Sequence, residues 1–415
     1  MVPKLSINFY KSLDLIIVML PIIIILGSPF INAILLLSSI IFLYICYKYT
    51  YWSWIKETWV IIALSFWLYL VIISFYSLDP YSSLRASFFY FRFILFSLLV
   101  GYFGFKFYSH KKIFSIWFFI IIFVCIDIWV QYFFDVDIFG YKSHAYRYSG
   151  VFGDELVAGS FLWKISSPVL GFFIYEIYIK KNKVFNYLLI VFFLIPLTIL
   201  VTGERTSFIM FVFTMLVSLF VYSFYLKKFK IIFITTIFII PLFIITTLFS
   251  SDVRHRYKEL YSILNNFEQS SYGVLFTSGL KVWDKNKTKG VGLKNFGKVC
   301  DKDITLSNEN NTKHQTCSTH PHNLYIQLLS ETGIIGLLFF INLFIFFFLK
   351  IFKNIKFKNV RDIKKYLLIS CSCSLFSLIW PIVTSGSFYS SWNGFFYWII
   401  IGILINLSQK KHELN

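Results

Sequence analysis

The sequence has few charged residues for a chain of 415 residues. Only 14% of the residues are charged, whereas 58% are hydrophobic and 22% are aromatic. Soluble domains carry about a quarter charged residues, so this composition excludes an ordinary soluble protein. Several apolar runs reach the roughly 20 residues that a helix needs to cross a bilayer. The composition therefore predicts a membrane protein whose length is divided into spans.

Acidic residues are scarce as well. The chain has 20 Asp and Glu against 39 Lys and Arg, which gives a formal net charge of +19. In a soluble protein this excess would suggest nucleic acid. Here the lysines lie mostly between apolar runs, where cations orient membrane helices and contact anionic lipid. We therefore expect membrane lipids, and no nucleic acid, as partners.

The sequence also lacks the short motifs of several enzyme classes. It contains no Walker loop, dinucleotide fingerprint, G-x-S-x-G or H-E-x-x-H motif, so ATP-driven transport and common hydrolase chemistry have no support. Asp135 and Asp137 form a D-x-D, a pattern that holds a divalent cation in some glycosyltransferases, but a lone D-x-D is a weak signal. We expect no metal and no cofactor.

The apolar runs that are present predict an all-α polytopic membrane protein with about twelve transmembrane helices. The predicted spans are 13–27, 30–47, 58–76, 86–105, 113–134, 157–179, 184–201, 206–226, 229–249, 330–350, 366–384 and 392–408. The first nine spans occupy residues 1–249, a large loop follows at 250–329, and residues 330–415 contain the last three spans and a tail.

Lysines predict the orientation of these spans. Every second connection is rich in lysine, as in "KKNK", "KKFK" and the stretch from Lys350 to Lys365, whereas "TGERTS" and "TSGSFYSSWNG" carry few cations. All basic connections fall on one side if both termini are cytoplasmic. The 250–329 loop then lies on the outer side. Its first part, "DVRHRYKELYSILNNF", has apolar residues at helical spacing and predicts an amphipathic helix on the bilayer or over the bundle.

Two cysteines lie in this long polar loop, Cys300 and Cys317. In an oxidising compartment they could form a disulfide, and two free thiols are the alternative. The other cysteines lie in apolar runs, where cysteine is most simply a small hydrophobic residue.

The stretch "STHPHNLYIQLLSETGIIGLLFF" places polar groups at the start of the tenth span. His322 and Asn323 come just before the helix, and Glu331 lies nine residues after His322. A neutral histidine at this interface could accept a proton from a hydroxyl. A loop histidine with only a structural hydrogen bond is the alternative, and for His320 the two interpretations are balanced.

A second polar segment, "TGERTSF", connects the seventh and eighth spans on the same predicted side. Gly203 breaks the helix, and Glu204 and Arg205 stand at the start of the next one. Arginine is suited to bidentate contacts with phosphate. In the alternative interpretation, Arg205 only pairs with Glu204 or with a lipid headgroup.

Four charges lie inside predicted spans: Arg85 and Arg92 at the fourth, Asp127 in the fifth and Lys164 in the sixth. Arg92 follows Arg85 by seven residues, so both should project from one helix face, about 10 Å apart. Ionisable groups within a membrane mark a functional or a paired site. The structural alternative is a pair between Asp127 and either Arg92 or Lys164.

Arg254, Arg256 and Lys281 add cations from the long loop. Together with the arginines of the spans they could form a cationic chamber at the outer leaflet, which fits a lipid-linked phosphate or diphosphate. Fixed cations would stabilise the charge that develops on a departing diphosphate. A transporter or flippase is a competing hypothesis, but it should show repeats and polar residues near the midplane, and we find neither. A non-enzymatic scaffold is a third.

These residues resemble the O-antigen ligase and O-antigen polymerase superfamily of bacterial inner membranes. The ligase signature is His, then Asn, Ser or Gln, nine residues and G-x-x-G. His322, Asn323, the nine residues 324–332 and Gly333-Ile-Ile-Gly336 match it.

Two further segments extend the resemblance. The "TGERTSF" segment resembles the family's arginine position, and "DVRHRYKE" resembles the basic start of the family's large loop. The resemblance thus carries over Arg205, Arg256 and, more weakly, Arg254. "SGLKVWDKNKTKGVGLKNF" is similar to a later loop segment, but many members place an arginine before it. This chain has no basic residue there until Lys281.

The resemblance implies an all-helical inner-membrane protein that moves a glycan from undecaprenyl diphosphate to an acceptor hydroxyl, without metal or nucleotide. His322 would activate the acceptor, and Arg205 and Arg256 would bind the diphosphate. A ligase uses lipid A–core as acceptor, and a polymerase uses another lipid-linked repeat unit. The motif favours a ligase, with a polymerase as the alternative.

Overall fold

The computed structural model describes residues 2–182, 193–227, 241, 243–244, 246–303, 317–353 and 362–409. Within these ranges the fold consists of α-helices joined by loops and short 3₁₀ turns, which confirms the predicted all-α class. The helices are α1 (Ile7–Ile25), α2 (Ser28–Lys48), α3 (Thr58–Ser74), α4 (Pro80–Phe88), α5 (Phe91–Phe103), α6 (His110–Phe134), α7 (Ala158–Tyr178), α8 (Leu194–Val201), α9 (Arg205–Leu226), α10 (Ser251–Asn265), α11 (Ser271–Lys285), α12 (Phe296–Asp303), α13 (Leu324–Lys353), α14 (Ile363–Leu378) and α15 (Ser391–Ser408).

The described helices are those of a polytopic membrane protein. Seven helical segments are long and apolar enough to cross a bilayer. They are α1, α2, the α4–α5 segment Pro80–Phe103, α6, α9, α13 and α15. The spans predicted at 184–201 and 229–249 lie largely outside the described residues, so the count of about twelve stays a prediction.

The predicted span at 86–105 is two helices rather than one. After α4, the Tyr90 amide donates to the Ser87 carbonyl and the Phe93 amide donates to the Tyr90 carbonyl, at distances of 3.0 and 3.1 Å. Bonds of this i to i+3 type tighten the chain and change the helix direction. Arg85 and Arg92 therefore lie on successive helices, and both line one cavity.

Lysine-rich connections meet at one end of the bundle. Lys350 at the end of α13 pairs with Glu57 before α3 at 2.7 Å, and Lys111 in α6 pairs with Glu176 in α7 at 3.1 Å. Asp14 of α1 accepts hydrogen bonds from backbone amides in the α5–α6 turn. These contacts agree with the predicted alternation of basic and non-basic connections.

At the other end, the starts of α4, α9 and α13 gather with the loop between α14 and α15. The Asp79 amide, just before α4, donates to Asn295 at 2.8 Å, and the hydroxyls of Thr206 in α9 and Thr384 are 2.8 Å apart. Over this end lie α10, α11 and α12, which come from the predicted large loop. The polar groups singled out in the sequence are on these elements.

Helix α10 has the bounds expected of the amphipathic segment. Ser250 caps it by accepting a hydrogen bond from the Val253 amide, as serine commonly does at a helix start. Tyr257 packs on Phe208 of α9, with ring centroids 6.3 Å apart. Leu264, further along, is 65% exposed, so the helix packs on the bundle only through its first half.

Candidate active site

His322 lies in a tight loop immediately before α13. Its φ of 54° is in the left-handed region, which costs a non-glycine residue of order 1–3 kcal/mol and persists only when surrounding contacts impose it. The contacts come from the α14–α15 loop. The His322 carbonyl accepts a hydrogen bond from the Ser385 amide at 2.8 Å, and the next residue, Asn323, forms an isolated bridge with Thr384.

Asn323 is the residue that holds this loop in place. Its side-chain carbonyl caps α13 by accepting from the amides of Tyr325 and Ile326, at 3.0 and 3.1 Å. Its amide group donates to the Pro381 carbonyl at 2.8 Å. Asn323 is buried, and both ends of its side chain are occupied by the protein. These bonds suit a positioning role for Asn323 next to His322.

Glu331 is buried about two turns into α13. Gln327 donates to its carboxylate at 3.0 Å, donates to the Ser387 hydroxyl at 2.7 Å, and accepts from the Phe388 amide at 3.0 Å. The Glu331 backbone carbonyl accepts from the Gly292 amide at 2.8 Å. Glu331 thus ties α13 to the loop before α12, and this geometry fits support of the site better than substrate binding.

Helix α13 is kinked at Gly333, where φ is 65° and ψ is −171°. The "KTKG" turn lies against the kink, and the Lys287 carbonyl accepts from the Ile334 amide at 2.9 Å. A β-carbon on Gly333 would overlap the Thr288 carbonyl. The first glycine of the G-x-x-G is therefore needed for a kink and a close loop contact. The sequence had suggested only close approach between helices.

His322 and His320 form a pair of imidazoles with ring centroids 4.1 Å apart. Burial lowers the pKa of His322 below its ordinary value. Burial, with repulsion from His322, lowers the pKa of His320 to about 4. Both rings are therefore neutral at pH 7, the state in which an imidazole accepts a proton.

Tyr272 of α11 connects this pair to a group of arginines. Its ring lies edge-on to His322 with centroids 6.1 Å apart. The same side chain lies near Arg205 and near Arg147, a residue of the 135–156 loop. Neither Tyr272 nor Arg147 was identified from the sequence. Arg147 is the only arginine of its loop, and that was the one signal that could have found it.

Arg205 and Arg256 share one carboxylate. Glu259 accepts from Arg205 at 3.2 Å and from Arg256 at 2.6 Å, and Arg256 also donates to the Gly203 carbonyl at 3.3 Å. Arg147 packs against the same glycine, since a β-carbon on Gly203 would lie 3.3 Å from the Arg147 side chain. We call Arg147, Arg205 and Arg256 the arginine cluster. Burial lowers the pKa of Arg147, and Glu204 partly offsets this.

Glu204 does not pair with Arg205, which the sequence had left open. Its carboxylate accepts from the amides of Gly159 and Ser160 at 2.7 and 3.0 Å, and from the Ser207 hydroxyl at 2.9 Å. These amides belong to the first turn of α7, where an anion is favoured by the helix dipole. Glu204 therefore caps α7 and leaves Arg205 to face Glu259.

On the other side of the histidine pair lies a cavity of about 1530 Å³. Arg85, Arg92 and His320 line it. Arg92 donates to Asn32 at 2.7 Å and to Ser391 at 3.3 Å. The arginine cluster lines no part of this cavity. The single cationic chamber expected from the sequence is therefore two basic regions separated by His320 and His322.

Residues 189–341 match the sequence model of the O-antigen ligase family. This segment contains Arg205, Arg256 and His322 and ends within α13. The chain is similar to the O-antigen ligase family over this segment, which is 153 of its 415 residues. No curated protein matches the chain in a sequence search.

This similarity agrees with ligase- or polymerase-type action on lipid-linked glycans. The matched segment supplies two of the three clustered arginines and the histidine between the two basic regions. Arg147 and the cavity arginines lie before the matched segment, so the geometry of the whole chain is needed to recognise them.

Two of the expected cations lie elsewhere. Arg254 donates to the carbonyls of Thr247 and Leu248 at 3.1 and 2.6 Å, on an exposed surface. Lys281 is exposed on α11, and it lines neither the cavity nor the arginine cluster. The structure does not bring Arg254 or Lys281 to the site.

Within the described residues, the intramembrane charges do not pair as the structural alternative required. Asp127 accepts from the Ile138 amide at 3.0 Å, and Lys164 donates to Asn393 at 3.0 Å. Asp137, of the D-x-D, accepts from the amides of Phe139 and Tyr141. Both aspartates therefore fold the 135–156 loop.

Cys300 and Cys317 are joined in a disulfide. Cys300 lies in α12, and Cys317 begins the short segment that leads to His320 and His322. The bond attaches the histidine segment to α12. It provides a covalent anchor in addition to the hydrogen bonds from the α14–α15 loop.

Proposed function

We propose that this protein transfers a glycan from a polyprenyl diphosphate to an acceptor hydroxyl on the periplasmic side of the bacterial inner membrane. The observation that carries the proposal is the placement of His322. It packs against Tyr272 and is bonded to the α14–α15 loop, which in turn contacts the start of α9 beside Arg205. A neutral base beside fixed cations suits a reaction in which a proton leaves one substrate and a diphosphate leaves the other. A ligase with a lipid A–core acceptor is the first form of the proposal.

The chemistry is a displacement at the anomeric carbon of the donor sugar. The acceptor hydroxyl attacks this carbon as the bond from carbon to the diphosphate oxygen breaks. The electron pair of that bond leaves with the diphosphate, and the hydroxyl proton passes to the neutral imidazole of His322. Arg205, Arg256 and Arg147 stabilise the charge on the departing diphosphate. The imidazolium then releases its proton to water.

His322 is tested by replacing it with asparagine, which tolerates the left-handed backbone better than most residues. Purified protein is supplied with an undecaprenyl-diphosphate-linked glycan and with rough lipopolysaccharide, and glycosidic product is measured. We expect H322N to lower the turnover by roughly 10²–10⁴-fold, the usual contribution of a general base. H144N, at a half-buried histidine of the 135–156 loop, is the matched control. A variant H322N that keeps wild-type turnover would exclude the proposed base.

A polymerase is the second form of the proposal, because the superfamily covers ligase- and polymerase-type function. Deletion of the gene in its host separates the two forms. Rough lipopolysaccharide with polymer stranded on undecaprenyl diphosphate indicates a ligase. Lipopolysaccharide capped with a single repeat indicates a polymerase, and an unchanged pattern contradicts both.

A further inference from the structure

The large cavity beside His320 is walled by five separate parts of the chain. They are α2, the α4–α5 segment, α12, the segment 317–320 and the loop 387–391. Its volume of about 1530 Å³ exceeds the 300–1,000 Å³ typical of drug-sized ligand sites. The space is therefore suited to several sugar rings and is larger than a single phosphate would need.

The charge of the lining is unbalanced. Arg85, Arg92, Lys294 and Lys298 line the cavity, against the single carboxylate of Asp301. Lys298 is paired with Asp79. Arg85 and Arg92 have no carboxylate partner within the described part of the chain, and the hydrogen-bond partners of Arg92 are neutral. Two guanidinium groups without a counter-ion predict an anionic ligand.

The rest of the lining has the mixed character of a saccharide site. Hydroxyls come from Thr319 and from serines at both ends of the cavity, and rings come from Tyr81 and Phe89. Leu36 of α2, which is 48% exposed, adds an apolar edge on a helix long enough to cross the bilayer. A glycolipid could place its sugar among the cations and its lipid along this edge.

The position of the cavity relative to His322 decides which substrate it takes. His320 lines the cavity, and its ring is 4.1 Å from that of His322, centroid to centroid. His322 also packs against Tyr272, which lies near Arg205 of the arginine cluster and does not line the cavity. A base between two basic regions can serve a donor on one side and an acceptor on the other.

We infer that the cavity is the acceptor site and that it binds a phosphorylated saccharide through Arg85 and Arg92. The assignment of the cavity to the acceptor rests on the proposed function, in which the arginine cluster binds the donor diphosphate. The anion-binding saccharide site itself follows from the cavity and its unpaired arginines. Binding of the saccharide and transfer of the glycan can therefore be measured in separate experiments.

The test is equilibrium binding to the purified full-length protein in nanodiscs. The probes are the phosphorylated core oligosaccharide released from rough lipopolysaccharide, the same oligosaccharide after dephosphorylation, and inorganic diphosphate. Arg85 is exposed in the cavity, so R85Q should fold normally. R85K retains the charge, and K142Q, which removes one exposed cation from the 135–156 loop, is the matched control.

We expect R85Q to weaken binding of the phosphorylated oligosaccharide by roughly tenfold, the usual effect of one charge-assisted contact. Binding of the dephosphorylated oligosaccharide and of diphosphate should not change, R85K should recover part of the loss, and K142Q should behave as wild type. If R85Q instead weakens diphosphate binding alone, the cavity is a donor site and the inference is wrong. It is also wrong if R85Q changes nothing.

Failure of the proposed function would give a different pattern. If the oligosaccharide binds through Arg85 but no glycosidic product forms with any donor, the saccharide site stands and the transfer proposal fails. If product forms at the wild-type rate and acceptor KM in R85Q, the transfer stands and the acceptor site is refuted.

Discussion

Glu259 places a carboxylate between the Arg205 and Arg256 guanidinium groups. Its side chain is 41% exposed, so the carboxylate can leave this position without unfolding the core. An anion already held by two arginines competes with any phosphate that binds them. In the proposed reaction, the donor diphosphate would have to displace Glu259.

Replacement of Glu259 by glutamine should therefore strengthen donor binding. Removal of one partly exposed competing charge is worth up to about 1 kcal/mol, so we expect the donor KM to fall by up to about fivefold. The measurement is initial rate against donor concentration at saturating acceptor. E268Q, at an exposed glutamate of the neighbouring turn, is the control. A higher donor KM in E259Q would mean that Glu259 orders the arginines for binding instead of competing with the ligand.

The pKa of His322 predicts the pH dependence of the reaction. A base acts in its neutral form, so activity is lost as the pH falls through the pKa of the folded protein. Burial lowers that pKa from an ordinary value of about 6.5. We expect the turnover at saturating substrates to be level at pH 7 and to reach half its maximum below pH 6.5. A midpoint above pH 7 would assign the titration to another group.

The kinked shape of α13 is held by contacts from another part of the chain. At Gly333 the backbone adopts φ 65° and ψ −171°, a region essentially restricted to glycine. A new helical run begins after the kink. The Ile334 amide, at the start of this run, donates a hydrogen bond to the Lys287 carbonyl. The half of α13 that follows His322 is thereby fixed against the loop before α12.

G333A should be strongly destabilising for two reasons. The backbone strain costs of order 1–3 kcal/mol, and the added methyl group overlaps the Thr288 carbonyl. We expect a lower melting temperature in detergent and little transfer activity. G140A separates the two causes, because Gly140 also has a positive φ, 91°, but open space around its β-carbon position. Equal melting temperatures for G333A and wild type would contradict this interpretation of the kink.

At the scale of the whole molecule, the orientation in the membrane is a prediction that labelling can test. With both termini cytoplasmic, Lys142 lies outside and Lys48, at the end of α2, lies inside. A membrane-impermeant maleimide should label K142C in spheroplasts and label K48C only after permeabilisation. Both positions are exposed. The reverse pattern would invert the topology and would place the candidate site on the cytoplasmic side.

Much of this architecture could be predicted from local sequence, because apolar length and serine caps act over a few residues. His322, Arg205 and Arg256 were identified from their motifs and lie at one end of the bundle. Arg147 was missed because it belongs to no motif and reaches the cluster only through the fold of its loop. The break between Arg85 and Arg92 and the kink at Gly333 were also missed, since the kink depends on a distant turn.

The shared carboxylate of Glu259 has a consequence for turnover. A site made only of unpaired arginines would hold the diphosphate product as firmly as the donor, and release would then limit the rate. Here the Glu259 carboxylate of α10 can take the place of the product, because it lies within 3.2 Å of both guanidinium groups. When the lipid diphosphate departs into the bilayer, Glu259 can return to neutralise the cations that held it.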